Sequence, residues 1–281
     1  MGILLDAFSL APAKAVEYLR KKKLRISGSW TEVWKEQHTK AFTVANLSKL
    51  DLLQDIRNLL NKAIDGELAP DVTGEMVKRG IPFSEFKKRL VPKLKARGWW
   101  GIEEVVNFTT GEVTERQLGS VARLRTIYDV NVQTAFMSGR YRGQMDVAKE
   151  LPYWQFIAVM DGNTTERCSK LHLVVYRYDD PVWQYIYPPN HWRCRSRVRS
   201  LAADQVDRVE SSTDNLVSQE EAVGSDNKRM VDVTGVKFTD RYGVPQTYMP
   251  GAGWDYNPGK QTFKPDLKKY DDDIAALWEG E

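Results

Sequence analysis

The apolar residues of this chain change period once, at Pro152, and that change limits what the chain can fold into. Before it they recur at helical spacing. LSKLDLLQDIRNLLNKAIDG places Leu50, Leu53, Ile56, Leu60 and Ile64 on one face, as an amphipathic helix requires. After it, YWQFIAVMD and LVVYRY are short β-branched and aromatic runs bounded by turn formers, which read as strands. The expected fold class is therefore α+β. A helical N-terminal region covers residues 1–110, and a long helix plus a small α+β core with few strands and long loops covers 111–201. A polar linker spans 202–228, and an irregular, aromatic and turn-rich β extension spans 229–281.

Local signals fill in this outline. A first amphipathic helix is expected over residues 5–24, closed by Lys21, Lys22 and Lys23, a basic run that complements the helix dipole from solvent. A helical segment from Thr31 follows, with Trp30, Val33, Trp34 and Phe42 on its apolar side. Gly66 stops the next helix, and Ser84 opens another that Pro92 interrupts and Gly98 closes. Residues 1–110 thus read as all-helical. Thr114 is expected to cap a helix reaching about Glu150, with Leu118, Val121, Leu124, Tyr128, Val132, Ala135 and Phe136 as its core stripe. Arg123, Arg140 and Arg142 then form a solvated face. Beyond Pro189, CRSRVRSL reads as an edge strand with Arg195, Arg197 and Arg199 alternating on one side. ADQVDRVESSTDNLVSQEEAVGSDN is too polar and acidic for a core. Tyr248, Trp254 and Tyr256 need a surface supplied from elsewhere, and DDDIAALWEGE can form a terminal helix.

The chemistry concentrates between Asp161 and Arg199. Both cysteines of the 281 residues, Cys168 and Cys194, lie there, with two of the three histidines, His172 and His191. The pattern is Cys-x3-His, an 18-residue excursion, then His-x2-Cys. One reading is a structural zinc site made by Cys168, His172, His191 and Cys194, since thiolate and imidazole are the usual ligands of a closed tetrahedral site. On a helix Cys168 and His172 would share a face. A second reading is a Cys168–Cys194 disulfide. The third is a pair of buried reduced thiols packed as small apolar groups, with the histidines bonded to backbone. The second pair begins with His, which no standard finger signature does.

Bulk properties narrow the classes. Forty-one basic against 38 acidic residues leave a net charge of +3, too small to argue nucleic-acid binding from charge alone. Two cysteines make no disulfide framework, so a reducing compartment is the expectation. No apolar run of about 18 residues is present to span a membrane. The basic run follows the apolar start, the reverse of a secretory signal. HExxH, a Walker loop, GxSxG and a helix-opening GxGxxG are all missing. A Cys/His nucleophile pair or a zinc hydrolase using Asp161, Glu166, Asp179 or Asp180 as base remains an alternative. The reading taken is a binding protein rather than an enzyme.

Several stretches, in order, resemble one family. AFTVANLSKLDLLQDIRNLLNKAIDGE with FSEFKKRLVPKLKARGW, then RLRTIYDVNVQTAFMSGRYRGQM, DGNTTERCSKLH, PPNHWRCRSRV and GWDYNPG are similar to the minor head proteins of tailed bacteriophages named after the Mu F protein. The similarity spans roughly residues 40–260, and PPNHWRCRS is its most specific part. It implies a low-copy component of the virion, inside the head or at the portal vertex, made in the host cytoplasm. Its partners would be the portal or major capsid protein, and its task head morphogenesis or genome delivery. Non-specific contact with packaged DNA through Arg195, Arg197, Arg199 or Lys21–Lys23 is a further implied role, and would be strongly salt-dependent. Ser196 stands where many relatives carry a second cysteine, so a larger cysteine-rich metal site is not expected.

Overall fold

The computed structural model describes residues 11–27, 33, 35, 37–45, 47, 49–70, 76–106, 113–223, 229–240 and 242–260. Among them the fold is α+β, built on two separate apolar clusters that share one helix. Helix α1 (Ala11–Lys21) leads to β1 (Lys23–Leu24), which pairs in parallel with β2 (Ala41–Phe42) just after the short α2 (Gln37–Lys40). Next come α3 (Leu50–Asp65), the hairpin of β3 (Glu67–Pro70) and β4 (Met76–Arg79), and α4 (Phe83–Ala96). A second hairpin joins β5 (Ile102–Val106) to β6 (Val113–Gln117). The 26-residue α5 (Val121–Asp146) follows.

Helix α3 forms where the sequence places it. Leu52, Leu53, Ile56, Leu59, Leu60, Ala63 and Ile64 are buried, and Gly66, with φ at 85°, turns the chain out as few side chains allow. Leu50 sits at the edge of this stripe in the first turn and is 52% exposed. Other expectations also differ from what is found: α4 runs unbroken through Pro92, with Pro82 rather than Ser84 at its start, and Val121, expected in the core stripe of α5, is 48% exposed. The region up to residue 110 is not all-helical, because two hairpins interrupt it. Thr114 lies in β6 rather than capping a helix, and Ser120 caps α5 by accepting from the Arg123 backbone N–H at 3.2 Å. Local helical spacing through Leu118 was overridden by five rungs of pairing with β5. The segment from Thr31 holds only the four-residue α2 among its described residues. Within the stretch read as linker, β10 (Leu216–Val223) pairs over eight rungs with β11 (Arg229–Thr239).

One cluster packs Tyr18 and Leu19 of α1, Ile56 and Leu60 of α3, Phe86 and Leu90 of α4, and Leu124 and Ala135 of α5. The other takes Met137 and Tyr141 from the far end of α5. At about 1.5 Å per residue, α5 is long enough to be a beam between the two. On that far end lies an antiparallel sheet with β7 (Tyr153–Ile157) between β8 (Val175–Arg177) and β9 (Arg197–Leu201). Strand β9 is an edge, as expected, with Val198 buried and Arg197 and Arg199 outward. A second sheet, β10–β11–β12 (β12 is Pro245–Tyr248), contributes Val236, Phe238 and Tyr248 to the same cluster. The surface that Tyr248, Trp254 and Tyr256 need is thus this core and the neighbouring N-terminal segment. All three are buried, and Trp254 meets Trp192 edge-on at 5.0 Å. The acidic tail lies outside the described residues.

Candidate metal centre

Two short pieces of backbone bring the thiols together. Helix α6 (Glu166–Lys170) is capped by Thr165, whose Oγ1 accepts from the Cys168 amide at 3.3 Å, an exchange worth about 1 kcal/mol at a helix start. Opposite it, residues 191–194 form a turn in which the Cys194 N–H donates to the His191 carbonyl at 3.2 Å. Arg193 in that turn has φ at 59°, and its guanidinium donates to Thr126 Oγ1 of α5 at 3.1 Å. The turn aims His191 and Cys194 at Cys168. Their three ligand atoms lie within 4.8 Å of one another. Cys168 Sγ is 3.1 Å from His191 Nε2 and 3.8 Å from Cys194 Sγ.

The fourth residue of the expected set is not in this group. His172 lies past the C-terminal end of α6, so it does not share a helical face with Cys168. Its Nδ1 accepts instead from the Ala158 N–H at 3.2 Å, beside β7. The disulfide reading fares no better as the structure stands: both cysteines are free.

Electrostatics separate the two thiols. Cys168 and Cys194 are 2% and 3% exposed. The hydrogen bond from the Cys168 S–H pulls Cys194 well below the ordinary thiol range, against its burial, and His191 adds to this. Cys168, sharing that bond and buried beside the negative sulfur, is pushed far above the range and keeps its proton. Burial acts to lower His191, but its hydrogen bond to Cys194 and the charge there outweigh it, so its net shift is upward. The ring's Nδ1–H donates to the Trp192 carbonyl at 2.8 Å, which aims Nε2 at the sulfurs, the orienting bond that ligating histidines commonly make. A tetrahedral ion with sulfur at about 2.3 Å requires its two sulfurs about 3.8 Å apart, which the Cys168–Cys194 spacing meets.

Around the cluster the neighbouring charges are already committed. Arg195 grips Asp161 with two bonds of 2.8 and 2.5 Å, holding the Asp161 carboxyl well below the usual carboxylate range. Asp161 also receives the Asn163 N–H at 3.0 Å. Glu166 pairs with Lys170, and Asp179 with Arg177. Asp180 accepts from the Val182 and Ser212 amides at 2.9 and 3.1 Å. Arg199 donates to Gln155 at 2.8 Å. On α5, Arg123 is not a solvated charge. It stacks on Trp99 and donates to the carbonyls of Gln117, Leu118 and Ala45. Sequence reasoning missed Thr165 as a neighbour of the His191 ring, at 3.1 Å, because the contact joins residues 26 apart. It also treated Lys22 as solvated, although Lys22, just past the end of α1, is buried together with Ala15, Tyr18 and Leu19.

The region carrying this cluster, residues 70–199, matches the family described as Phage Mu protein F like protein. The chain is 38% identical over 265 residues to the putative capsid assembly protein F of Escherichia phage Mu, covering 92% of this chain and 57% of that protein. It is 37% identical over 250 residues to the Mu-like prophage FluMu F protein of Haemophilus influenzae, covering 87% of this chain and 55% of that one. It therefore spans just over half the length of these curated relatives. No solved structure matches it. With its α5–β9 region matched by the family and most of its length alignable to two F proteins, the chain belongs to the Phage Mu protein F like family.

Proposed function

We propose that this chain acts in assembly of a tailed-phage head, as a binding protein of the virion rather than an enzyme. The observation that carries this reading is the similarity over 92% of the chain to a protein named for capsid assembly. The site supports it. Each acidic residue that could serve a hydrolase as base, Asp161, Glu166, Asp179 and Asp180, is held in an ion pair or a cap. The partners are other head proteins, the portal or the major capsid protein, and the place is the head interior or the portal vertex. Contact with packaged DNA would fall to Arg197 and Lys23, both exposed, since Arg195, Arg199 and Lys21 have partners within the fold and Lys22 is buried. No helix among the described residues is long and apolar enough to cross a membrane.

Within this role, Cys168, His191 and Cys194 would hold a zinc ion as a staple. Bound there, zinc would supply a cross-link between α6 and the 191–194 turn that does not depend on an oxidising compartment. The S···S spacing and the oriented His191 ring support it. Sedimentation of a native lysate, followed with an antibody to this chain, tests the role. Co-migration with heads through high salt is expected, and recovery only in the soluble fraction would refute it.

A further inference from the structure

Beside the first core lies a cavity of about 270 Å³. Its walls are largely apolar, from Phe42 and Val44 after α2, Ile127 and Val130 of α5, and Trp192 and Trp254. Among the described residues that line it, Lys22, His38 and Arg123 are the basic groups and none is an aspartate or glutamate. Lys22 is 4% exposed. Its ammonium lies over the Tyr18 ring at 4.4 Å, and no carboxylate among the described residues acts on its charge. The other charges give it no relief. Arg123 is a second cation, bonded to backbone carbonyls and stacked on Trp99, and Tyr256 also lines the space.

A cation taken out of water without a partner is costly, and buried charges are ordinarily paired. Lys22 lines a space whose other described walls are largely apolar, so an anion seated there would meet its cation. Burial pulls Lys22 down to about 7, and burial together with the Lys22 charge holds His38 near 4. The imidazole is therefore a neutral hydrogen-bonding group at pH 7, and Lys22 is the cation an incoming anion would stabilise.

We propose that this cavity is a binding site for a carboxylate carried on an apolar body. The carboxylate would pair with Lys22 and the apolar body would fill the space against Val130 and Trp254. Such chemistry has two sources, a free aromatic acid or an acidic residue beside an aromatic one on a partner segment. The site is separate from the Cys168–His191–Cys194 cluster and does not depend on a metal there.

The full-length chain is titrated calorimetrically with 4-phenylbutyrate, with the neutral 4-phenylbutan-1-ol, and with a capped Phe-Asp dipeptide. Binding of a carboxylate probe about tenfold to a hundredfold tighter than the alcohol is expected. Lys22→Met, which keeps the length and apolar stem, should erase that preference, and Lys22→Arg should keep it. Val130→Phe, which narrows the cavity from α5, should weaken all probes, and circular dichroism confirms that each variant is folded. Binding of the dipeptide alone would assign the site to a protein partner, and binding of the free acid as well to a small acid. Equal affinity for acid and alcohol, a preference that survives Lys22→Met, or no binding of any probe would overturn the proposal.

Discussion

Replacing Asn257 by alanine should release the C-terminal turn from the second core. Asn257 is fully buried. Its amide donates to the Trp183 carbonyl at 2.8 Å and accepts from the Gly259 N–H at 2.8 Å. Gly259 is pressed onto Tyr141 so closely that a Cβ there would lie 2.4 Å from the tyrosine Cβ, which is why the turn carries glycine. Asn257→Ala leaves one buried carbonyl and one buried amide without partners, each worth about 1–3 kcal/mol. Some water will reach the gap, so a loss of about 3 kcal/mol is the working figure. At about 2–4 °C per kcal/mol for a chain of this size, the melting temperature should fall by about 6–12 °C. Asn257→Asp keeps the bond to Gly259 but sets a carboxylate oxygen against the Trp183 carbonyl, so it should fall at least as far. Scanning calorimetry measures the loss, and near-ultraviolet circular dichroism reports the aromatic group of Tyr141, Trp154, Trp183 and Tyr187. A melting temperature within about 1 °C of the parent for Asn257→Ala would refute the reasoning. It would mean that the turn leaves the core before the core melts.

Other outcomes follow from the same geometry. Protein purified without added metal should carry about one zinc per chain by elemental analysis. Cys168→Ser or His191→Ala should lose it while His172→Ala keeps it, and zinc under about 0.2 per chain in the parent would sink the staple. Lys35→Ala should cost about 3–5 kcal/mol in denaturant unfolding, because it strands the Asp255 carboxylate, buried and paired with Lys35 at 2.7 Å. A loss under about 1 kcal/mol would show that the pair is dispensable. Asp161 is held below its ordinary value of 3.8, first by the Arg195 hydrogen bonds. Its contribution to stability is therefore present above pH 3.8 and is lost as pH falls through the lower folded value. Arg195→Ala should flatten that acid dependence, and an unchanged profile would disprove the attribution.

Much of the framework could be read from residue order. The Leu53–Ile56–Leu60–Ile64 stripe and Gly66 define α3, and the β-branched run after Pro152 defines the sheet around β7, because both signals are local and repeat with the element's own period. The concentration of thiols and imidazoles between Asp161 and Arg199 was equally legible. Pairing was not. Whether Thr114 begins a helix or a strand depends on residues 102–106 lying alongside it, and the acidic run 216–223 becomes β10 only because β11 supplies hydrogen bonds residue by residue.

What the sequence alone determined, then, is the class of each strongly periodic segment, the family resemblance and the short list of chemical side chains. Tertiary structure decided which of those side chains meet. Cys168 and His191 are 23 residues apart and touch, whereas His172, four residues from Cys168, is turned toward Ala158. Lys22 belongs to a run that reads as solvated, yet it is buried at a cavity whose other walls include Phe42 and Val44, α5, Trp192 and Trp254. Spacing along a chain fixes direction only within one element. Beyond the end of that element, direction is set by the turn that ends it and by the surface it packs on, and neither is written within a few residues of the side chain itself.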